Sequence, residues 1–281
     1  MNVATKTGEI TTGDGVTLRY IEAGEGQPLV MIPGWSQTAA QYSHQIEGLS
    51  DRYRVISLDM RGHGDSDKPN SGYRIARFSQ DLHDILVSLD LQNVVLLGHS
   101  MGCSIIWSYW DTFGAERISK LVLIDQVAFV TSNPDWSAEE LEAAGAIFDH
   151  PTLVGLCNGI AGPEGDATSA GLVGSMFTGA AADELKQWAV DLNLKFPRQY
   201  ASTLLYNHCT QDWRDVIPQI NIPSLVIGGT VSIFPAKAIE WVHQQIPGSQ
   251  LAIFNESEGG SHFMFIEGAA KLNNLIRDFI D

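Results

Sequence analysis

VVLLGHSMG, at residues 94–102, is the stretch of sequence that decides the fold. Its apolar first half is typical of a short buried strand, and residues 103–113, which follow it, are predicted to be helical. Ser100 lies at the junction, with Gly98 and Gly102 two positions away on either side. A strand, a sharp turn and a helix around such a serine are the context of a nucleophile elbow, where larger flanking side chains would keep strand and helix apart. The segment therefore predicts a nucleophilic serine.

Apolar strands and amphipathic helices alternate on both sides of this segment. Residues 75–89 place apolar side chains at helical spacing along one stripe. Four further runs are predicted to be short buried strands, at residues 28–32, 53–58, 120–124 and 224–227. Continuous apolar strands that alternate with helices predict an α/β protein whose parallel sheet is covered on both faces.

The alternation stops between residues 127 and 213, where helical segments dominate, and resumes afterwards. We therefore divide the chain into a core, at 1–126 and 214–281, and an inserted helical cap, at 127–213. Open α/β sheets bind their ligands at the carboxyl ends of the strands. An insertion that leaves the sheet at this edge is expected to cover such a site.

Composition and charge exclude several classes of function. Of the 281 residues 44% are hydrophobic, enough for a large folded core. The chain carries 33 acidic residues against 17 Lys and Arg, a formal net charge of −16, which disfavours nucleic acid and anionic membranes as partners. Residues 1–13 contain no apolar signal core, and no apolar run reaches membrane-spanning length. We expect a cytoplasmic protein with a small-molecule substrate; whether it forms a homodimer is left open.

A serine hydroxyl needs a neighbouring base to become a good nucleophile, and His262 is the best placed of the eight histidines. It follows the last predicted strand, at residues 250–254, lies in a glycine-rich loop and keeps the chain order serine, acid, histidine. His99 is expected to pack or to hydrogen-bond at the elbow, and His208, among others, to be solvated or at the edge of the core. No two histidines have the HExxH spacing of a zinc site, so no metal site is predicted.

The carboxylate that would orient His262 is harder to find. The loop after the predicted strand at 224–227 reads GGTVSIFP and contains no acid. Asp125 ends the strand beside that of the serine, at the same edge of the sheet, and is our choice for the acid. Glu256 and Glu258, close to His262 in sequence, are the alternatives.

Two backbone N–H groups are needed to hold an oxyanion. The N–H of Met101 follows the nucleophile, and that of Trp35 lies in the loop after the predicted strand at 28–32. The helical block contains many large apolar side chains, which predict a pocket for an apolar or aromatic substrate. The residues assigned to this pocket are Trp136, Phe148, Met176, Phe177, Trp188 and Tyr206.

Four stretches in this order make the chain resemble the α/β-hydrolase superfamily, in its non-haem chloroperoxidase-like or esterase-like branch. They are PGW at 33–35, DMRGHGDS at 59–66, GHSMG at 98–102 and GSH at 260–262. The resemblance implies an eight-stranded, mostly parallel sheet flanked by helices, with an inserted helical cap and no cofactor. Two residues depart from the family pattern: Ser232 stands where the family usually has its acid, and Pro33 where it often has histidine. The first departure moves the acid to Asp125, a placement seen in some branches of the superfamily.

The expected function is hydrolysis of a carboxylic ester or lactone through an acyl-enzyme. Ser100 attacks the carbonyl, His262 is the base, Asp125 orients it, and the Trp35 and Met101 N–H groups hold the oxyanion.

Other functions of the same fold stay open. The cofactor-free dioxygenases resemble this chain in a Gly-Trp loop, an elbow serine, an aspartate after the next strand and a late histidine. Their His/Asp dyad deprotonates a hydroxylated heteroaromatic ring, and their serine is not acylated. Met101, where they often carry histidine, favours the hydrolase. Carbon–carbon bond hydrolases use the same machinery, and a chain without the acid would be a binding module.

Overall fold

The computed structural model describes residues 3–281 and consists of one eight-stranded sheet with helices packed on it. Met1 and Asn2, which the predicted core includes, lie outside the described residues. The strands are β1 (Lys6–Thr11), β2 (Thr17–Ala23), β3 (Gln27–Ile32), β4 (Tyr53–Asp59), β5 (Val94–His99), β6 (Ile118–Ile124), β7 (Ser224–Gly229) and β8 (Gln250–Phe254). Strand β1 carries no apolar run and was not predicted.

The order of the strands in the sheet is β1-β2-β4-β3-β5-β6-β7-β8. The pairs β1–β2 and β2–β4 are antiparallel, and all later neighbours are parallel. The prediction of a mostly parallel, eight-stranded sheet flanked by helices is therefore confirmed. Because β3, β5, β6 and β7 are parallel neighbours, their carboxyl ends lie along one edge of the sheet.

Residues 3–281 also form eleven α-helices. They are α1 (Ser43–Leu49), α2 (Ile75–Ser88), α3 (Met101–Phe113), α4 (Ala138–Ala144), α5 (His150–Ala161), α6 (Gly165–Gly174), α7 (Asp183–Asn193), α8 (Arg198–Cys209), α9 (Ala236–Gln245), α10 (Met264–Glu267) and α11 (Ala269–Ile280). None of the helices described in this structure is long and apolar enough to cross a bilayer.

Alternate residues of the central strand β3 show how the sheet separates two apolar cores. Val30 and Ile32 belong to the core that contains the apolar stripes of α2 and α3. Leu29 and Met31 point the other way and pack with α1 and α11. All four side chains are fully buried, which explains why the strand reads as an unbroken apolar run.

Five helices, α4 to α8, lie between β6 and β7, within the segment predicted to be the cap. Helix α8 is fastened to the loop after β3, because the Trp35 indole Nε1–H donates to the Ala201 carbonyl at 2.7 Å. Arg198, at the start of the same helix, hydrogen-bonds the Ser36 hydroxyl at 3.3 Å. The inserted helices therefore lie over the carboxyl edge of the sheet, while the boundaries at 127 and 213 stay predictions.

The turn between β5 and α3 is sharp, and Ser100 sits at its apex with φ 52° and ψ −126°. A Cβ atom on Gly102 would lie 2.3 Å from the Ile32 carbonyl oxygen, and one on Gly98 would lie 2.7 Å from the Gly102 carbonyl carbon. The two glycines therefore let β3, β5 and α3 approach closely around the serine.

We expect Gly102→Ala to lower the free energy of unfolding by about 2 kcal/mol, because the methyl group must displace backbone rather than a flexible side chain. Gly171→Ala, within helix α6 and with no atom within 4 Å of its new Cβ, is the matched control and should raise stability by about 0.5–1 kcal/mol. Denaturant unfolding of both variants measures the difference. Equal stabilities would show that the elbow tolerates a side chain at this position.

Candidate active site

The three residues predicted as a triad meet at the carboxyl edge of the sheet. Ser100 follows β5, Asp125 follows β6, and His262 lies in the loop after β8. His262 Nδ1 is 2.6 Å from Asp125 Oδ2, and both side chains are almost completely buried. Ser100 and His262 line the same cavity. Ser100 and His262 are more than 150 positions apart in the sequence. The fold of the chain brings both to one site.

Within residues 3–281 no hydrogen bond joins the Ser100 hydroxyl to the imidazole. The ring of His262 is held at Nδ1 by Asp125, which leaves Nε2 as the nitrogen available to Ser100 or to a substrate. Catalytic hydrogen bonds are often long in unliganded sites and tighten in the substrate complex. The shared cavity thus places the two groups in one compartment without a preformed contact.

Asp125 is held by the strand beyond it. Its backbone N–H donates to the Ile227 carbonyl at 2.8 Å, and its Oδ2 also accepts a hydrogen bond from the Ser232 hydroxyl. Ser232 is one of the two residues at which the sequence departs from the pattern of the family that it resembles. Its hydroxyl contacts Asp125, and the sequence did not reveal this contact.

Neither of the two glutamates considered as alternatives bonds His262 among the described residues. Glu256 and Glu258 lie in a 3₁₀ turn, Glu256–Glu258, after β8. Glu258 caps that turn through the Asn255 N–H and pairs with Lys271 at 2.7 Å. The geometry thus favours Asp125 as the partner of His262.

Burial sets the protonation of the pair. It lowers the pKa of His262, so the imidazole is neutral in the resting site and can accept a proton. Burial also raises the pKa of the Asp125 carboxyl, while the hydrogen bond from Ser232 opposes that rise. Among the described residues, no cluster of three or more His, Cys, Asp or Glu side chains is arranged to hold a metal ion.

Of the two predicted oxyanion donors, Met101 follows Ser100 in the chain, and Trp35 lines the same cavity as Ser100. Met101 is the first residue of α3, where backbone N–H groups lack partners within the helix and the helix dipole favours negative charge. The loop of Trp35 is fixed on both sides of this residue: the Gly34 N–H donates to Gln37 Oε1 at 2.8 Å, and the Ser36 N–H to His63 Nε2 at 3.1 Å. The Trp35 N–H itself makes no such bond in the described chain. Two N–H groups are thereby left for a ligand.

His99 connects the loop of His262 to the loop of Trp35. Its Nε2 lies 2.7 Å from the His262 carbonyl oxygen, and its Nδ1 lies 2.9 Å from Gln37 Oε1. The His262 N–H in turn donates to the Met176 carbonyl at 3.2 Å. The predicted hydrogen bonding of His99 at the elbow is confirmed, and His262 is held both from the core and from the inserted helices.

The cavity above these residues is apolar and encloses about 170 Å³, comparable with a cavity of roughly 150 Å³ that takes one benzene ring. In the described structure none of its lining side chains is Lys, Arg, Asp or Glu. The lining residues are Trp35, Gln37, Ser100, Val130, Ile147, Phe148, Leu156, Leu172, Val173, Met176, Asn193, Leu205, His208, Cys209, Ile233, Phe234, His262 and Phe263.

Of the six residues predicted for the substrate pocket, Phe148 and Met176 line the cavity. Phe177 stands behind it, stacked on Phe263 at 4.4 Å between ring centroids. The prediction is wrong for three residues. Trp136 packs on Phe129 and under the Arg214 guanidinium, and Trp188 and Tyr206 are exposed to solvent. Trp188 and Tyr206 lie on the outer faces of α7 and α8, and Trp136 lies in the loop before α4, which composition alone does not reveal.

His208 lies elsewhere than the sequence predicts. The sequence predicts a solvated residue or one at the edge of the core. In the structure His208 is 4% exposed and faces the cavity from the last turn of α8. Its position three residues after Leu205, which also lines the cavity, is the helical spacing that could have indicated it.

Comparison with known proteins agrees with this architecture. A family profile of the alpha/beta hydrolase fold matches residues 27–151. A non-heme chloroperoxidase of Kitasatospora aureofaciens is 30% identical over 267 residues, which cover 90% of each chain. The chain therefore belongs to the α/β-hydrolase superfamily, and within it to the chloroperoxidase-like and esterase-like branch. Membership of this superfamily supports the assignment of the protein as a hydrolase.

Solved structures extend the likeness over nearly the whole chain. The bromoperoxidase of Bacillus anthracis superposes with a TM-score of 0.89 at 26% identity, over 98% of this chain and 99% of that one. An esterase of Exiguobacterium antarcticum superposes with a TM-score of 0.87 at 26% identity, over 97% of this chain and 98% of the other.

Proposed function

We propose that this protein is a serine hydrolase that cleaves a carboxylic ester or lactone with an apolar or aromatic substrate. The observation that carries the proposal is that Ser100, at a strained elbow, and His262, bonded to Asp125, open into one apolar cavity. The esterase likeness of the fold agrees with it. The substrate is a small molecule, since the cavity takes about one ring.

The reaction proceeds in two halves. Ser100 Oγ attacks the carbonyl carbon while its proton passes to His262 Nε2, and the carbonyl oxygen becomes an oxyanion between the Trp35 and Met101 N–H groups. The C–O bond then breaks, and His262 returns the proton to the leaving alcohol, which in a lactone stays attached to the acyl group. Water, deprotonated by His262, attacks the acyl carbon; the bond from this carbon to Ser100 Oγ breaks, His262 returns the proton to Oγ, and the acid is released.

The electrostatics fit this sequence of steps. A base that is neutral at rest can take the serine proton, and burial keeps His262 neutral. The imidazolium that forms lies 2.6 Å from Asp125 Oδ2, so the carboxylate stabilises the charge when it is created. Removing one oxyanion donor from such a site lowers the rate by about 10²–10³-fold.

A second candidate is a cofactor-free dioxygenase, favoured by the position of the acid after β6 and by the absence of a serine–imidazole bond among the described residues. There the buried His262–Asp125 dyad would remove the proton of a ring hydroxyl, and the resulting carbanion would react with O₂. Ser100 would position the ring without being acylated.

One experiment separates the two candidates. The protein is incubated with a fluorophosphonate, and the adduct is located by mass spectrometry while hydrolysis of 4-nitrophenyl esters is followed. We expect a single adduct at Ser100 and parallel loss of hydrolysis. An unlabelled protein that consumes oxygen with a 3-hydroxy-4-quinolone would contradict the hydrolase and support the dioxygenase.

A further inference from the structure

We propose that His208 is a specificity-determining residue, which hydrogen-bonds an uncharged oxygen substituent, a hydroxyl or carbonyl group, on the part of the substrate held in the cavity. Calling this ligand a substrate rests on the proposed hydrolase function. The kind of ligand that the cavity binds does not rest on that function, because it follows from the residues that line the cavity.

The geometry that carries the proposal is an imidazole without a partner. His208 lines the cavity and is 4% exposed. Its Nδ1 is completely enclosed and has no hydrogen-bond partner, and its ring makes no hydrogen bond to any residue between 3 and 281. Nearly all buried polar groups in folded proteins are paired, so a lone one needs an explanation.

Packing does not supply that explanation. Leu205, one turn earlier on the same face of α8, fills its part of the wall with hydrocarbon. A leucine at 208 would do the same without the desolvation of two ring nitrogens. A ligand that completes the hydrogen bonding would account for the imidazole.

The two amide side chains of the wall are already committed at their oxygens, and Ser100 is the nucleophile of the proposed reaction. Gln37 Oε1 accepts from the Gly34 N–H, and Asn193 Oδ1 accepts from Gln41 Nε2 at 2.9 Å. The imidazole of His262 is bonded to Asp125. His208 Nε2, which is not enclosed and pairs with no residue between 3 and 281, is thus left to hydrogen-bond a ligand in the cavity.

The charge of the ligand follows from the surroundings. Burial, with some repulsion from His262, lowers the pKa of His208 to about 3, so the ring is neutral and presents one donor and one acceptor. No Lys, Arg, Asp or Glu of the described chain lines the cavity to balance an ionic ligand. An ammonium or carboxylate group on the ligand is therefore disfavoured. A hydroxyl or carbonyl oxygen is uncharged and can hydrogen-bond the neutral imidazole.

Binding of an isosteric pair tests the proposal without turnover. Isothermal titration calorimetry compares p-cresol with p-xylene, which differ by a hydroxyl in place of a methyl group and fit a one-ring cavity. We expect the wild-type protein to bind p-cresol more tightly. In His208→Phe, which keeps a ring and removes its nitrogens, the ratio of the two dissociation constants should shift toward p-xylene by about tenfold, the factor for one lost hydrogen bond.

Two further variants keep the test decisive. Leu205→Met alters the same wall without changing its polarity and should leave the ratio unchanged. His208→Leu replaces His208→Phe if thermal unfolding shows that the phenylalanine variant is not folded. Weaker binding of p-cresol than of p-xylene to the wild type, no binding of either, or an unchanged ratio in the folded variant would overturn the proposal. A protein that prefers p-cresol but hydrolyses no ester would overturn the hydrolase and leave the role of His208 standing.

Discussion

Ser100→Ala is expected to lower ester hydrolysis by at least about 10⁴-fold, the scale on which serine hydrolases lose rate when the nucleophile is removed. Alanine keeps the backbone of the elbow but removes the hydroxyl oxygen that would form the acyl bond in the proposed mechanism. The residual rate would come from the oxyanion donors and from substrate binding. Turnover of a 4-nitrophenyl ester under saturating substrate, with thermal unfolding to verify the fold, measures the loss.

The matched control for this prediction is Ser104→Ala. Ser104 lies one turn further along α3, and its buried hydroxyl has no hydrogen-bond partner. It does not line the cavity within the described chain. We expect hydrolysis to stay within about threefold of the wild type, because a substitution of this kind alters little beyond its own packing. A Ser100→Ala protein that kept more than a hundredth of the activity would contradict covalent catalysis.

The elbow and the base could be predicted because their signals are local. Gly98, Ser100 and Gly102 fall within five positions, and their close approach to β3 is the constraint that the motif encodes. His262 follows from its place after the last strand. Asp125 could be chosen because parallel neighbours bring strand ends to one edge, and the structure bonds it to His262 at 2.6 Å.

Two kinds of contact could not be predicted from the sequence. One depends on the register between paired strands, and the other on which face of a helix points to the cavity. The contact between Ser232 and Asp125 arises because β6 and β7 pair with Ile124 opposite Ile227, a fact that no motif contains. Trp188 and His208 show the second limit. Both lie on inserted helices, but one faces solvent and the other the cavity, and only the packing of α7 and α8 decides between them.

Asp125→Asn is expected to lower the turnover of the ester by about 10⁴-fold, the loss seen when the orienting aspartate of a triad becomes asparagine. An amide at this position can donate to His262 Nδ1 and so stabilise the tautomer that carries its proton on Nε2. In that tautomer Nε2 cannot accept the proton of Ser100. It also leaves the imidazolium without a countercharge in a buried site. The KM of the ester should change much less than its turnover number, because Asp125 does not line the cavity.

Glu258→Gln is the matched control, since it removes the alternative carboxylate and with it the pair to Lys271. Activity should stay within about threefold, because exposed ion pairs contribute little. If this variant lost more activity than Asp125→Asn, the acid would have been assigned to the wrong loop.

Ser232→Asp, added to Asp125→Asn, should restore turnover by at least about tenfold over the single variant. The Ser232 hydroxyl already hydrogen-bonds the oxygen of Asp125 that holds His262, so a carboxylate at 232 would lie within reach of the same imidazole. Electrostatic stabilisation depends on where the charge lies rather than on which strand carries it. Recovery measured as turnover, and absent from Ser232→Asn in the same background, would show that the two strand ends are equivalent supports for one base. No recovery in a folded double variant would mean that the position of the carboxylate at the end of β6 is itself required.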